Sequence, residues 1–346
     1  HKAIRRQRQM CIRDRGYTGK PDSYYRAIIN WVKQRYDLDV TKEMINFVPG
    51  IVPGIGMAMN SFTRPGDKVM IQPPVYHPFA WVTTRNERTL VTNPLKWENG
   101  MYRMDLDAFR EQVKGCKLFI LCNPHNPGGV VWTEDELRTV AEICYEEKVL
   151  VFSDEIHADL TLPPYKHRPF ATISEKAKMN SVTFMSPSKA FNMPGLAASH
   201  AIIFNEDLRA RFRKFMDAGE LDMGHVFAFL SVEAAYTHGT EWLDQCLAYI
   251  QGNIDYVDNF LKTHAPRIKA IRPQASYLVW LDCRELGLNQ EALNDFFADK
   301  AHLALNDGAM FGKEGTGYMR LNVASPRSVI EQAMKQLAEA YQEMSF

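Results

Sequence analysis

Lys189 is the residue whose setting most favours chemistry with a carbonyl group. It follows the apolar run SVTFMS (181–186), with Ser188 before it and Ala190 and Phe191 after it. A lysine after a strand is most often solvated, but small and apolar neighbours desolvate the amine and lower its pKa, which favours imine formation. The sequence therefore provides a candidate nucleophile at the end of a predicted strand.

Polar side chains also follow two other predicted strands. Asp154 ends the run VLVFSD (149–154), where a buried carboxylate needs a partner, although it is also consistent with a structural cap on the next turn. Asn126 lies in the loop NPHNPGG (123–129), where two Asn-Pro steps and two glycines force a specific turn. Taken alone, that segment is also consistent with an ordinary loop. Both side chains are candidates for holding a ligand.

A glycine-rich segment and a tyrosine complete the set of candidate ligand-binding features. Gly50, Gly54 and Gly56 stand between a predicted strand and a helix start, where free backbone N–H groups suit a phosphate. Met59 occupies the third glycine position of the pattern G-x-G-x-x-G, which disfavours a nicotinamide enzyme. Tyr76 follows a Pro-Pro step and could stack on a flat heterocycle or simply pack in the protein.

Together these features form a set that suits one cofactor. A phosphate cradle, a stacking ring, an amide, an acid and a lysine follow one another along the chain. All are predicted at carboxyl ends of strands, where parallel α/β sheets bind ligands. A lysine and an acidic partner for the pyridine nitrogen are the protein groups that pyridoxal phosphate (PLP) requires. The residues therefore predict PLP chemistry at the α-carbon of a small-molecule amino acid.

The elements that must position these residues alternate between short apolar runs and helical stretches. Thr133 and Glu136 predict a capping box, while Asp22 and Ser325 are predicted helix caps. The alternation predicts an α/β fold, with a three-layer α/β/α large domain and a mostly parallel sheet. The apolar runs resemble strands covered on both faces and include residues 68–72, 89–93, 117–122, 149–154, 181–186 and 200–205.

The sequence is predicted to divide into three parts. Residues 1–15 form a basic tail, either disordered or foreign to the natural protein, with a nucleic-acid arm or a transit peptide as alternatives. Residues 16–250 form the large domain. Residues 251–346 form a smaller α+β domain with strands at 277–283 and 318–324.

Composition limits the partners and the compartment. Lysine plus arginine total 41 and aspartate plus glutamate total 41, so no net charge attracts nucleic acid or a membrane surface. No apolar run approaches the ~20 residues of a membrane helix, and no signal core follows the basic start. The six cysteines form no C-x-x-C pair and no zinc-finger spacing. This pattern predicts reduced thiols in a cytoplasmic protein without a metal site.

Eight stretches closely resemble the fold-type I, aminotransferase-like PLP enzymes. Within that group the chain is most similar to the MalY/PatB branch of cystathionine β-lyases (C–S lyases). The similarity runs from Gly16 nearly to the end of the chain. The stretches are GYTGKPDSYYRAI, FVPGIVPGI, GDKVMIQPPVYHPF, KLFILCNPHNPGG, VFSDEIHADL, SPSKAFNMPGL, YLVWLDCRELGL and MRLNVASPRS.

The resemblance implies a role for each site residue. Lys189 would form an imine with PLP and move the Cα proton, Asp154 would pair with the pyridinium nitrogen, and Tyr76 would stack on the ring. Tyr17 would reach the phosphate of the neighbouring subunit, which implies a homodimer with shared active sites. Asn126 would bond the phenolic oxygen of PLP, with His157 nearby. The phosphate would be held by Ser186 and by the backbone of Ile51 and Val52. Arg320 would bind the substrate carboxylate. Taken alone, Arg320 is also consistent with a surface ion pair.

Two departures from the family pattern are visible. The family has a segment before the GYT stretch that contributes to the small domain and covers the active site. The basic tail stands there in this sequence, so we expect the chain to be a fragment. Gly128 stands where the family usually has a larger residue, and we expect a minor effect.

The implied reaction is β-elimination from cystathionine or a cysteine-type amino acid, which releases a thiol, pyruvate and ammonia. An aminotransferase would use every residue named above, because the two reactions diverge only after the carbanion. A regulatory binding protein that keeps the fold is a third alternative, since some relatives in this branch bind a transcription regulator. Intact Lys189 and Asp154 favour retained chemistry.

Overall fold

The computed structural model describes residues 19–344 of the chain. The predicted tail at 1–15 and Tyr17 therefore lie outside the described residues. Among the residues that are described, no helix is both long enough and apolar enough to cross a bilayer.

The described residues form strands that belong to three sheets. The strands are β1 (Ile45–Val48), β2 (Lys68–Ile71), β3 (Thr89–Thr92), β4 (Lys96–Glu98), β5 (Met101–Arg103), β6 (Cys116–Cys122), β7 (Leu150–Asp154), β8 (Ser181–Met185), β9 (Ser199–Ile202), β10 (Lys269–Ile271), β11 (Leu278–Asp282), β12 (Asn306–Asp307) and β13 (Tyr318–Asn322).

The α-helices follow the strand-and-helix alternation that the sequence predicts. They are α1 (Asp22–Tyr36), α2 (Ile51–Phe62), α3 (Pro78–Arg85), α4 (Leu106–Gln112), α5 (Glu134–Glu146), α6 (Glu175–Met179), α7 (Glu206–Ala218), α8 (Val226–His238), α9 (Thr240–His264), α10 (Gln290–Asp295) and α11 (Arg327–Gln342). Short 3-10 segments occur between them, among them Pro194–Leu196 and Gly308–Phe311.

The central sheet has the strand order β1-β9-β8-β7-β6-β2-β3. Strands β2, β3, β6, β7 and β8 pair in parallel, and β9 runs antiparallel to both of its neighbours. The predicted mostly parallel sheet is therefore confirmed. Because β1 is antiparallel to β9, its carboxyl end lies at the same edge as those of β2, β6, β7 and β8.

The side chains of β6 show the three layers directly. Leu118 and Ile120 belong to the apolar cluster that includes residues of α2 and α7. Phe119 and Leu121 belong to the cluster that includes residues of α4 and α5. Successive strand residues point to opposite faces, so this strand is covered by helices on both sides. Burial on both faces explains why these strands are continuous apolar runs in the sequence.

The predicted capping box is confirmed, and two predicted caps are wrong. Thr133 Oγ1 accepts from the Glu136 N–H at 3.2 Å, and a Glu136 carboxylate oxygen accepts from the Thr133 N–H at 2.9 Å. Asp22 is the first residue of α1 rather than its cap, and its carboxylate pairs with Lys42 instead. Ser325 does not cap α11, which begins two residues later and has no side-chain cap.

A second, antiparallel sheet with the order β10-β11-β13-β12 lies in the C-terminal part of the chain. It brings Arg320 on β13 opposite Trp280 on β11. The predicted domain boundary at residue 250 falls inside the continuous helix α9. The division into 16–250 and 251–346 stays a prediction.

Candidate active site

The carboxyl ends of β1, β2, β6, β7 and β8 and the second sheet surround one cavity of about 390 Å³. This volume lies in the range of small-molecule sites. Most of the predicted site residues line it, and Tyr17 lies outside the described residues. The predicted residues on the cavity wall are Ile51, Val52, Tyr76, Asn126, Asp154, His157, Lys189 and Arg320.

Asp154 is a buried carboxylate without a cationic partner of its own. It ends β7, and its Oδ1 accepts a hydrogen bond from the Ile156 N–H at 3.1 Å, as the predicted turn cap would. It forms no ion pair with any residue in the range 19–344. Burial raises the pKa of this carboxyl to about 7, and the neighbouring Glu155 adds to the rise. A protonated ring nitrogen at this position would stabilise the ionised form.

The pKa of Asp154 makes the stability of the cofactor-free protein depend on pH. The unfolded chain loses this proton near the ordinary value of 3.8, whereas the folded protein keeps it until about pH 7. The folded state binds more protons between these values, so its free energy of unfolding falls as the pH rises through this window. Between pH 4 and 8, the free energy of unfolding of the wild type should fall by about 4 kcal/mol relative to that of Asp154→Asn. Urea unfolding at each pH measures the difference.

An exposed carboxylate supplies the control for this measurement. Asp217 lies on the solvent side of α7, so Asp217→Asn should leave the pH dependence of unfolding as it is in the wild type. A difference between the wild type and Asp154→Asn that stays constant from pH 4 to 8 would contradict the assignment.

Lys189 lies in the turn that follows β8 and is half-buried in the cavity wall. Burial and the positive charge of Arg320 lower the pKa of its amine, while Asp154 opposes that shift. Phe191 and Met193 donate backbone hydrogen bonds to Pro187 and Ser188, at 2.9 Å each, and so hold the turn. A lysine with a lowered pKa is the nucleophile that the sequence analysis expects.

The N-terminus of α2 is open towards the same cavity. Gly50 precedes the helix with φ +136°, a conformation that side-chain-bearing residues rarely adopt, and no side chain caps the helix. The N–H groups of Ile51 and Val52 come first in the helix and have no partner within it. A Cβ at Gly54 would lie 2.8 Å from Val48, so glycine allows α2 to pack closely on β1. This arrangement suits a phosphate.

Ser186, which the resemblance assigns to the phosphate, does not line the cavity. Its hydroxyl donates to the Ala198 carbonyl at 2.7 Å and accepts from the Ser188 N–H at 3.1 Å. Ser188 lines the cavity instead. The contact of Ser186 with the phosphate stays a prediction.

Arg320 reaches into the cavity from the second sheet without a carboxylate partner among the described residues. Its Nη1 donates to Asn126 Oδ1 at 2.9 Å, and its Nη2 donates to Asn306 Oδ1 at 2.7 Å. The guanidinium lies 4.7 Å from the centre of the Phe311 ring. Two neutral amides thus orient the fork and leave its charge for an anion, so the alternative of a surface ion pair is wrong.

His157 and Tyr76 place two rings on the wall of the cavity. His157 is buried and its Nδ1 has no hydrogen-bond partner among the residues described. Burial and the charges of Lys189 and Arg320 lower the pKa of His157 to about 3, so its imidazole is neutral. Burial raises the pKa of Tyr76, whose phenol therefore keeps its proton. A neutral imidazole and a phenol can both take part in hydrogen bonds with a polar ligand.

The structure also explains the glycine pair that departs from the family pattern. A Cβ at Gly128 would lie 2.7 Å from the Tyr102 ring and 3.0 Å from His125 Nδ1. Gly129 has φ +67°, and a Cβ there would lie 2.4 Å from Pro273. The loop that carries Asn126 therefore packs too closely against its neighbours for a larger residue at either position.

Sequence reasoning missed three polar residues in or next to the second sheet that line the cavity, namely Tyr277, Asn306 and Asn322. Asn322 could have been found, because it stands two positions after Arg320 on β13 and so shares its face. Asn306 lies on the two-residue strand β12, which has no periodic pattern. Tyr277 precedes β11 and carries no local signal of function.

The residues present fit PLP. The α2 N-terminus suits its phosphate, the buried Asp154 carboxyl lacks the cation that a pyridinium would provide, and Lys189 has the lowered pKa that bond formation to an aldehyde needs. The unpartnered nitrogen of His157 adds a polar group on the same wall. The roles of the individual residues stay predictions.

The fold and this site define a PLP enzyme of fold type I, and the chain belongs to the family Aminotransferase class I and II, which matches residues 6–337. Among curated proteins it is 38% identical to cystathionine beta-lyase PatB of Bacillus subtilis over 327 residues, which are 94% of this chain and 84% of that protein.

Solved structures with the same fold support this assignment. Cystalysin from Treponema denticola, which contains PLP, superposes with a TM-score of 0.93 and 34% identity, over 97% of this chain and 86% of that one. The PLP-bound C–S lyase from Staphylococcus hominis superposes with a TM-score of 0.89 and 32% identity, over 98% and 89%.

Proposed function

We propose that the protein is a PLP-dependent carbon–sulfur β-lyase that acts on cystathionine or related cysteine-type amino acids. The products are a thiol, pyruvate and ammonia. The observation that carries the proposal is one cavity lined by Lys189, Asp154 and Arg320, in a chain 38% identical to a cystathionine beta-lyase. The cavity supports PLP chemistry, and the similarity to named C–S lyases favours elimination over other outcomes.

Substrate binding depends on Arg320. Its guanidinium has five N–H donors in a planar fork and binds the α-carboxylate of an amino acid in a bidentate manner. Asn126 and Asn306 hold the fork in place through their amide oxygens. The bound substrate then has its α-carbon within the same cavity as the Lys189 amine.

Proton transfer depends on Lys189 and Asp154. Lys189 takes the proton from the substrate α-carbon, and burial together with the charge of Arg320 lowers the pKa of its amine, which favours the neutral form that a base needs. PLP, when bound, supplies a conjugated ring that accepts the electron pair left at that carbon. Asp154 holds a negative charge opposite the ring nitrogen and so keeps that nitrogen protonated.

The test is incubation of the PLP-loaded protein with cystathionine, followed by assays for thiol and pyruvate. We expect both products in equal amounts, together with a change in the visible absorbance of the bound cofactor. An aminotransferase is the second candidate, because the matching family carries that name. Incubation with an amino acid and a 2-oxo acid would then give a new amino acid and no thiol. Absence of bound-cofactor absorbance would instead favour a regulatory binding protein.

We also propose a homodimer in which Tyr17 reaches the phosphate bound to the partner subunit. An exposed apolar face on α8 and the segment before it supports this proposal. Val226, Phe227 and Leu230 lie on α8 at helical spacing, with Phe227 67% and Leu230 52% exposed, and Met223 just before the helix is also exposed. An exposed apolar face of this kind is typical of a protein–protein interface.

Substitution on this face should weaken the dimer. The double variant Phe227→Asp, Leu230→Asp removes two large apolar side chains, each worth about 1.5–3 kcal/mol when fully buried, so the dimer dissociation constant should rise at least about 100-fold. Sedimentation equilibrium measures the change. Val329→Asp is the control, because Val329 is an exposed apolar residue on α11. An unchanged dimer in the double variant would contradict the use of this face.

We further propose that the protein works in the cytoplasm. Every cysteine of the part that the structure describes has a free thiol, and burial raises the pKa of these thiols. Reduced, unreactive cysteines support a reducing compartment.

A further inference from the structure

We propose that Tyr277 donates a hydrogen bond to the sulfur that leaves the β-carbon of the substrate. This inference rests on the proposed lyase function and deepens it, because it names the group that stabilises the leaving thiolate. Tyr277 stands just before β11 and lines the cavity.

The Tyr277 hydroxyl is free to bind a ligand as far as the described residues show. It makes no hydrogen bond to any residue between 19 and 344, although its ring is part of the cavity wall. Burial raises the pKa of this phenol, so it carries its proton at neutral pH and is available as a donor. Tyr76 has the other phenol on this wall, but its ring is the one predicted to stack on the cofactor.

The position of Tyr277 is close to the groups expected to hold the reacting part of the substrate. Its ring centre lies 6.4 Å from that of His157 at an interplanar angle of 69°. Arg320 and Tyr76 line the same cavity, and their charges are near enough to influence the pKa of Tyr277. Arg320 binds the α-carboxylate and Lys189 takes the α-proton. The β-substituent is therefore the part of the substrate left without a polar partner.

The backbone holds Tyr277 in a constrained orientation. Ser276, directly before it, has φ +81°, an uncommon conformation for a residue other than glycine. The Ser276 N–H donates to the Leu160 carbonyl at 2.9 Å, and the Val323 N–H donates to the Tyr277 carbonyl at 2.9 Å. These contacts tie Tyr277 to the segment after His157 and to the end of β13. Backbone strain that the surroundings maintain is a feature of functional sites.

The chemistry explains why a donor at this place matters. When the C–S bond breaks, both electrons of the bond go to sulfur, and an alkyl thiolate is a basic leaving group. A hydrogen bond from the Tyr277 O–H stabilises that charge as it develops. The phenol keeps its proton, and the thiolate takes a proton from water after it leaves the site. Hydrogen bonds to charged groups are worth about 10- to 100-fold in rate.

The experiment compares two substrates that differ in the stability of the leaving thiolate. S-ethyl-L-cysteine releases a basic thiolate, and S-(4-nitrophenyl)-L-cysteine releases a weakly basic one. In Tyr277→Phe, kcat for the ethyl substrate should fall about 10- to 100-fold, while kcat for the nitrophenyl substrate should fall less than about 3-fold. Tyr277→His keeps an N–H donor and should recover part of the rate with the ethyl substrate.

Two controls make the result specific. The dissociation constant of L-alanine, read from cofactor absorbance, should be the same in the wild type and Tyr277→Phe. Tyr145→Phe removes an exposed phenol on α5 and should leave both rates unchanged. Equal losses with both substrates, or no loss with either, would overturn the inference. If the wild type itself releases no thiol from either substrate, the lyase proposal fails, and the role of Tyr277 fails with it.

Discussion

Replacing Lys189 with alanine should lower the rate of thiol release by about 10,000-fold, the upper end of what a positioned base contributes. On the roles proposed for Lys189, the substitution removes both the nucleophile for the cofactor aldehyde and the base for the α-proton. Lys189→Arg should be equally inactive, because a guanidinium stays protonated and can do neither. The measurement is pyruvate release from cystathionine, combined with the visible absorbance of the lysine-bound cofactor.

Chemical rescue separates the role of the Lys189 amine from a structural one. Added methylamine should restore part of the activity of Lys189→Ala, because a small amine fits into the space that the side chain vacates. The arginine variant should not respond, since its side chain still fills that space. Lys214→Ala, on the exposed side of α7, should keep wild-type activity and absorbance. A Lys189→Ala variant that retains more than about a tenth of the wild-type rate would exclude this residue as the base.

Replacing Asp154 with asparagine should lower kcat by about 100- to 5,000-fold. Removal of one partner of a buried ion pair costs about 3–5 kcal/mol, and each 1.36 kcal/mol corresponds to a tenfold change in rate. Asparagine has nearly the same shape, so the change isolates the negative charge that we propose pairs with the ring nitrogen. The binding of PLP, measured by equilibrium dialysis, should weaken at the same time.

The length of the acidic side chain provides a second comparison at this position. Asp154→Glu keeps the charge but moves the carboxylate, so its kcat should lie between those of the wild type and Asp154→Asn. The exposed control Asp217→Asn should behave as the wild type. If Asp154→Asn and Asp154→Glu are equally slow, the position of the carboxylate matters more than its charge, and the proposed pairing with the ring nitrogen is wrong.

Local sequence signals predicted strands and helix starts well where interactions between nearby residues determine them. The apolar runs that became β2, β6, β7 and β8 are continuous because both faces of the sheet are covered, and Thr133 with Glu136 specifies a helix start within four residues. The expectation that 89–93 is covered on both faces was wrong, because β3 is the edge strand of the sheet and its residues are partly or fully exposed. The predicted caps Asp22 and Ser325 were wrong, because a single residue type at a helix start does not determine where the helix begins. The antiparallel direction of β9 had no local signal either, since strand direction depends on the path of the chain.

The candidate site was predictable as far as it lies at the strand ends of one sheet. Asp154 ends one strand of the parallel sheet and Lys189 follows another, so one rule about carboxyl ends placed both at the same edge. Tyr277 and Asn306 could not be found in this way, because Asn306 lies on the second sheet and Tyr277 directly precedes one of its strands. Their position in the cavity depends on how that sheet docks against the first.

The sequence by itself determined the class of chemistry: an acid, an amide, a glycine-rich turn and a lysine after successive apolar strands suffice to predict a PLP site. Only the tertiary structure decided how Arg320 is held and that Tyr277 lines the same cavity. The physical reason is that local backbone preferences and apolar periodicity act over a few residues. The contacts of Arg320 with Asn126 and Asn306 join segments that are far apart in the chain, and packing alone brings them together.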